Sequence, residues 1–271
     1  MKNQPRVSLI ITNYNGARYI TQCLDSIFKS SLSDCEVIFV DDGSTDKSRE
    51  ILQNYKNHPR LKLIFQKENQ GPAKARNQGA GKAQGEYLFF LDVDTKIEKD
   101  CPRTIVSKFE QNKKIGALQA KLIQAKTGNI ETAGHFLSFL GFPYEIIDSE
   151  VENHHNRERE IFGARSAAFA IRKNLFEKIG CFDEDYFIYG EDTDLSWRVW
   201  LSGFHVIFDL ITGDVELARF VGGNLDSHLV TLRDGNHVWS ERPVGNRDVV
   251  CSSLRSRNLR LLISVLRRAG S

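Results

Sequence analysis

The chain has 271 residues, 41% hydrophobic and 27% charged, an ordinary globular composition that suits one large or two small domains. A formal net charge of +2 gives no general electrostatic argument for nucleic acid as a partner, and the longest apolar runs, "VIFV" and "YLFFL", are far too short to span a bilayer. Cysteines at 23, 35, 101, 181 and 251 form an odd set with no C-x-x-C pair, and no signal-like segment opens the chain, so reduced thiols and a cytoplasmic setting are expected.

The elements alternate from the start. "VSLIIT" (7–12) is an uninterrupted β-rich run and reads as a buried strand. In "GARYITQCLDSIFKS", Tyr19, Ile20, Cys23, Leu24, Ile27 and Phe28 recur at helical spacing. "CEVIFVDD" (35–42) is a second strand, and "GSTDKSREILQNY" supplies capping residues before an apolar stripe of Ile51, Leu52 and Tyr55. "LKLIFQK" (61–67) is a third strand, "GPAKARNQGAGKAQG" a short Ala-rich helix closed by glycines, and "EYLFFLDVD" a fourth strand, followed by a helix over 98–112.

After residue 115 the pattern loosens. "IGALQAKLI" predicts one strand, 124–160 is polar and irregular, and "IFGARSAAFAIRK" is strand-like. A short helix, "NLFEKIG", leads into the acidic and aromatic "FDEDYFIYGEDTDLSW", which turns helical near Glu191 and stops at Gly203. Beyond 213 the patterning is weak until a basic amphipathic helix over 253–268, with Leu259, Leu262, Ile263 and Leu266 on one face. Such a helix most simply docks on its own protein; peripheral contact with the inner face of a membrane is the alternative.

Strands alternating with helices predict an α/β fold, a doubly wound and mostly parallel sheet with helices on both faces. Ligands of such sheets sit beyond the carboxyl ends of the strands. Thr12 and Tyr14 stand after the first strand, Asp41 and Asp42 after the second, and Asp92 and Asp94 after the fourth, so four carboxylates gather on one rim. Asp92 and Asp94 share a strand face and repel each other, which calls for something positive beside them. Read alone, this pair could simply end a strand and cap the next helix, and Asp41–Asp42 before "GS" could simply open a turn.

Four ordered motifs decide between these readings: "VSLIITNYNGARYITQCLDSI", "VDDGSTDKS", "NQGPAKARNQGAGKAQGEYLFFLDVDT" and "GCFDEDYFIYGEDTDLSWRVWLSGF". Together they resemble family 2 of the glycosyltransferases, over roughly residues 5 to 225. The resemblance implies the GT-A fold of nucleotide-diphospho-sugar transferases and a catalytic domain over 1–225. Its nucleotide-binding half would be 1–115 and its acceptor half 116–225, with 226–271 a C-terminal extension. It also implies inverting transfer from a nucleotide-sugar, UDP- or dTDP-linked, to a hydroxyl of a glycan, lipid-linked or other acceptor. By the same resemblance Thr12, Tyr14 and Asp42 hold the base, Arg76 lies near base and phosphates, and Asp92 faces the ribose. Asp94, with Asp92, would bind a divalent cation, Mg²⁺ or Mn²⁺, which takes carboxylate and phosphate oxygens. Asp192 would be the general base and Glu191 would orient the acceptor. Where many members carry a histidine that completes the metal site, "ELARFVGGN" places Arg219, which cannot ligate a metal but can contact a diphosphate. Two other classes put carboxylates and Mg²⁺ at strand ends. A nucleotidyltransferase would want a phosphate loop that "TNYNGARY" does not supply. A phosphoacceptor signalling domain needs about half this length and leaves "YGEDTDLSW" unexplained.

Overall fold

The computed structural model describes residues 4–31, 34–125, 130–137, 143–145, 158–187, 190–209, 218–220, 232–234 and 237–239. The chain divides into two compact units, Met1–Phe136 with Glu145–Asn224, and Leu137–Tyr144 with Leu225–Ser271.

The first half of the larger unit is a run of β-α repeats. Its elements are β1 (Val7–Asn13), α1 (Ala17–Phe28), β2 (Cys35–Asp41), α2 (Ser48–Gln53), β3 (Leu61–Phe65), α3 (Pro72–Ala80) and β4 (Tyr87–Asp92). β1 lies between β2 and β4 and runs parallel to both, and β3 extends the sheet parallel to β2. The chain therefore reverses its direction of winding between β1 and β4, the kind of crevice where open α/β sheets take their ligands.

The apolar runs are continuous because both faces of these strands are covered. Leu9, Ile11, Val37, Phe39, Phe89 and Leu91 point into one core, which α1 closes with Ile20, Cys23, Leu24 and Ile27. The alternate residues Ile10, Ile38, Val40, Leu88 and Phe90 point into the other, closed by Ala73 and Ala75 of α3. Gly79 lets α3 lie close to the sheet, since a Cβ there would fall 2.5 Å from Ile10 Cγ2.

The second half is mixed. It continues with β5 (Thr95–Ile97), α4 (Cys101–Gln111), β6 (Ile115–Ala120), β7 (Leu122–Gln124), β8 (Ile130–Thr132), β9 (His135–Leu137) and, after β10 (Pro143–Glu145), which falls mostly in the smaller unit, β11 (Arg159–Glu160). There follow β12 (Ala168–Arg172), α5 (Lys173–Lys178), α6 (Glu191–Leu201), β13 (His205–Asp209) and β14 (Ala218–Phe220). The main sheet has eight strands in the order β11-β13-β6-β12-β4-β1-β2-β3. β12 is antiparallel to both β4 and β6, and β13 is parallel to β6. The amino end of β12 therefore sits on the same rim as the carboxyl ends of β1, β2, β4 and β6. The α/β, doubly wound and mostly parallel expectation holds.

Three expectations are corrected. The single strand over 115–123 is two strands broken at Lys121, because β6 belongs to the main sheet while β7 pairs with β8 and β14 in a second sheet. The strand-like 161–173 is regular only over Ala168–Arg172; the residues before it form bends and turns that carry site groups. The polar stretch 124–160 holds short strands as well as irregular chain. In the smaller unit, β15 (Leu232–Asp234) and β16 (His237–Trp239) pair antiparallel. The basic helix expected over 253–268, and the membrane contact argued from it, lie outside the described residues. Among those, no helix is long and apolar enough to cross a membrane.

Candidate active site

The rim is assembled from four directions. β1 ends in Asn13, whose amide donates to Asp41 Oδ2 (2.9 Å) and Ser44 Oγ (3.1 Å) and whose Oδ1 accepts the Gly16 N–H (3.1 Å). Asp41 is fully buried and also takes Arg49 Nε at 2.8 Å, so it braces the turn after β2 and does not face the crevice as a free charge. The neighbouring Asp42 accepts backbone N–H groups from Gln70 (2.9 Å) and Gly71 (3.0 Å) on its two oxygens. Burial pushes its carboxyl up, against the pull of those two donors. Thr12 is buried and Tyr14 is 52% exposed, so the phenol is open for stacking while Thr12 is held in the strand.

The strongest electrostatic feature is Arg76. It comes from the middle of α3, is only 3% exposed, and clasps two carboxylates from different elements. Nη2 donates to Asp92 Oδ1 at the end of β4 (2.9 Å), and Nη1 donates to Glu191 Oε1 at the start of α6 (2.8 Å). It is a positive group beside Asp92, one of the paired aspartates, and it links the end of β4 to the start of α6. Its guanidinium also lies over the Phe182 ring, 5.7 Å from the centroid. Two atoms of this cluster are buried with no hydrogen-bond partner among the described residues, Arg76 Nε and Glu191 Oε2.

Glu191 and Asp192 open α6, behind Gly190 at φ +91°. Glu191 is 4% exposed; burial and then the Asp192 charge push its carboxyl up, and Arg76 opposes them. Asp192 is half-buried. Its Oδ2 accepts the Ser166 N–H (3.3 Å) and its Oδ1 accepts the Thr193 N–H (2.7 Å). Ser166, two residues before β12, also donates its hydroxyl to Glu191 Oε1 at 3.4 Å. Ser166, Thr193 and Asn13 are site residues that the sequence reading missed. Only Asn13, sitting directly after an apolar strand, carried a local signal.

Asp94 is half-buried, two residues past Asp92. Burial first, then the charges of Asp94 and Asp92, push the thiol of Cys23 well up. β5 follows at once and pairs antiparallel with β14, with Arg219 opposite Lys96. The segment carrying Arg219 is thus brought beside the one carrying Asp94. No cluster of three or more His, Cys, Asp or Glu side chains placed to hold a metal occurs among the described residues. Two aspartates with hard oxygens still fit Mg²⁺ or Mn²⁺, which commonly binds through one or two carboxylates and completes its shell with phosphates and water.

The profile of glycosyl transferase family 2 matches residues 8–180. The chain belongs to that family. The match covers β1 through α5 and so includes Asn13, Asp42, Arg76, Asp92 and Asp94, while the Glu191–Asp192 pair lies beyond it. An uncharacterized glycosyltransferase of Haemophilus influenzae is 48% identical over 99 residues, 36% of this chain and 40% of that protein. The poly-beta-1,6-N-acetyl-D-glucosamine synthase of Staphylococcus epidermidis is 28% identical over 207 residues, 75% of this chain. The chain spans 48% of that relative's length. The crystal structure of GalNAc-T7 with UDP, GalNAc and Mn²⁺ superposes with a TM-score of 0.63 at 19% identity, covering 81% of this chain and 44% of that one. Residues 1–349 of S. aureus TarS, in complex with UDP-GlcNAc, give 0.59 at 22% identity, covering 86% and 60%. The GT-A fold expected from the motifs is the fold of this family 2 glycosyltransferase chain.

Proposed function

We propose that this domain moves a sugar from a nucleoside-diphosphate sugar, UDP- or dTDP-linked, to an acceptor hydroxyl in polysaccharide or glycoconjugate synthesis, with inversion at the anomeric carbon. The observation that carries the reading is Arg76, which ties Asp92 at the nucleotide side of the crevice to Glu191 at the acceptor side. An N-acetylglucosamine sugar is favoured by the synthase among its relatives, and a uridine-diphosphate donor by the UDP-GlcNAc complex with the same fold.

In this reading the base stacks on Tyr14, and Asp42 accepts an imide N–H with a lone pair left over from its two backbone donors. Asp92 receives the ribose. Asp94, with Asp92, would hold a divalent cation. When bound, that cation supplies Lewis-acid stabilisation of charge on the diphosphate. The acceptor hydroxyl attacks the anomeric carbon from the face opposite the diphosphate. The C–O bond to the diphosphate breaks as the new C–O bond forms, and the hydroxyl proton passes to Asp192. The Ser166 and Thr193 N–H groups hold that carboxylate in place, and Glu191, fixed by Arg76, orients the acceptor.

Release of UDP from UDP-GlcNAc, followed with Mn²⁺ present, tests the reading. Asp192→Asn should keep UDP affinity while lowering kcat by roughly 10²–10⁴, the range for a lost general base. Asp94→Asn should lose metal-supported UDP binding measured by calorimetry. NMR of the product from an α-linked donor should show a β linkage; retention would overturn the single displacement. Near-normal turnover of Asp192→Asn would move the base elsewhere.

A further inference from the structure

Asp192 is the end of a short chain of side chains that begins on β9. Thr193 Oγ1 lies 3.4 Å from Asp192 Oδ1 and 2.9 Å from His135 Nδ1. The histidine is firmly seated. Its N–H donates to Gly163 O (2.7 Å), and its carbonyl accepts the N–H groups of Phe162 (2.9 Å) and Gly163 (3.2 Å). A Cβ on Gly163 would fall 3.3 Å from both Cβ and Nδ1 of His135, so the glycine leaves room for the ring. The same loop grips α6 a second time. Ala164 N–H donates to Ser196 Oγ (3.1 Å), and that hydroxyl donates to the Asp192 carbonyl (2.7 Å).

Counting protons ties the directions of the two bonds together. The Thr193 hydroxyl has one proton, and an ionised Asp192 can only accept. If that proton points to Asp192 Oδ1, the histidine must donate from Nδ1 to Thr193 Oγ1. We propose that His135 is a positioning residue for sugar transfer: its Nδ1–H donates to Thr193 Oγ1, turns the threonine hydroxyl onto Asp192 Oδ1, and so holds the carboxylate in one rotamer. This rests on the reading of Asp192 as the general base. The histidine lies 58 residues from its hydrogen-bond partner in sequence, and no local pattern marks it.

The test is a cycle of His135→Leu, His135→Asn, Thr193→Val and the His135→Leu/Thr193→Val double variant, reading kcat for UDP release from UDP-GlcNAc and UDP affinity by calorimetry. His135→Leu and Thr193→Val should each lower kcat by roughly tenfold at unchanged UDP affinity, about 1.4 kcal/mol of transition-state stabilisation. The double variant should be no worse than the poorer single one, because both remove the same link. His135→Asn, which puts an amide N–H near the place of Nδ1, should recover most of the loss. Additive losses, or no recovery by His135→Asn, would overturn the proposal while leaving a slow Asp192→Asn protein as support for the base. Normal turnover of Asp192→Asn would sink both. ¹⁵N NMR of labelled histidine gives a reading independent of activity. The Nδ1–H tautomer is expected for His135, with its shift moved by Thr193→Val, and an Nε2–H tautomer would overturn the assignment.

Discussion

The two sides of the crevice hold their carboxylates by different means. On one side, Asp41 and Asp42 sit at the end of β2 and are held by more than one donor each. Asp41 takes Asn13, Ser44 and Arg49, and Asp42 takes two consecutive N–H groups of the loop before α3. On the other side, Glu191 is also buried, but it is held by a long-range ion pair to Arg76 and a long hydrogen bond from the Ser166 hydroxyl (3.4 Å), and its second oxygen has no partner among the described residues. A carboxylate held by the backbone is a fixed receptor. A carboxylate held by one arginine is fixed only while that arginine stays. Asp42 is therefore held whatever happens at Arg76, and Glu191 is more sensitive to what happens at Asp92, which shares the arginine.

The largest test of that contrast is Arg76→Ala. It leaves Glu191 buried without its cation, and breaking such a pair costs about 3–5 kcal/mol. A loss of that size in the unfolding free energy is expected from denaturant titration. The Arg76→Met/Glu191→Gln double variant should be less destabilised than Arg76→Ala, because no uncompensated charge is left inside. Equal losses would mean that the uncompensated Glu191 charge is not what costs stability.

Asp42→Asn comes next. The amide replaces one acceptor oxygen with an NH₂ that faces a backbone N–H, at a cost of about 1–3 kcal/mol for the unsatisfied group. UDP affinity by calorimetry should fall with stability if, as proposed, the loop that Asp42 holds frames the base pocket. Affinity unchanged at reduced stability would leave Asp42 as a brace only.

A third probe sits where the two sides touch. Gly71 has φ +90°, and a Cβ there would meet the Phe187 carbonyl oxygen at 2.7 Å. Gly71→Ala should cost about 1–3 kcal/mol through the strained backbone. It should also weaken UDP binding, by displacing the N–H that Asp42 receives. A wild-type melting temperature would show that the Gly71–Phe187 contact yields freely.

The smallest effect is a pH dependence far from the crevice. Burial pushes Glu36 up, but the Lys62 ammonium, the Ser8 hydroxyl and the Gln84 N–H together hold its carboxyl below the usual range. A depressed folded pKa stabilises fully above the ordinary unfolded value, about 4.3, and the contribution is lost as pH falls through the folded one. Wild type should exceed Glu36→Gln by about 1 kcal/mol near neutrality. The gap should close on acidification below about pH 4; a gap that stays constant would remove the linkage.

The sequence by itself determined the parallel half and the places where carboxylates meet the rim. Strands buried on both faces leave uninterrupted apolar runs, and Asp42, Asp92 and Asp94 follow those runs directly, so local order alone puts them at strand ends. Tertiary structure decided the rest. The antiparallel insertion of β12 brings Ser166 to the rim, an effect of strand order that no local pattern encodes. The break at Lys121 arises because β6 and β7 serve different sheets, although the apolar pattern runs through both. Arg76, on a short Ala-rich helix, is placed near the base and phosphates by the resemblance, with no sign of an ion pair to Glu191. Its role as the clasp between Asp92 and Glu191 exists only once α3 and α6 face each other across the crevice, because a charge is worth most where burial removes the water that would otherwise screen it.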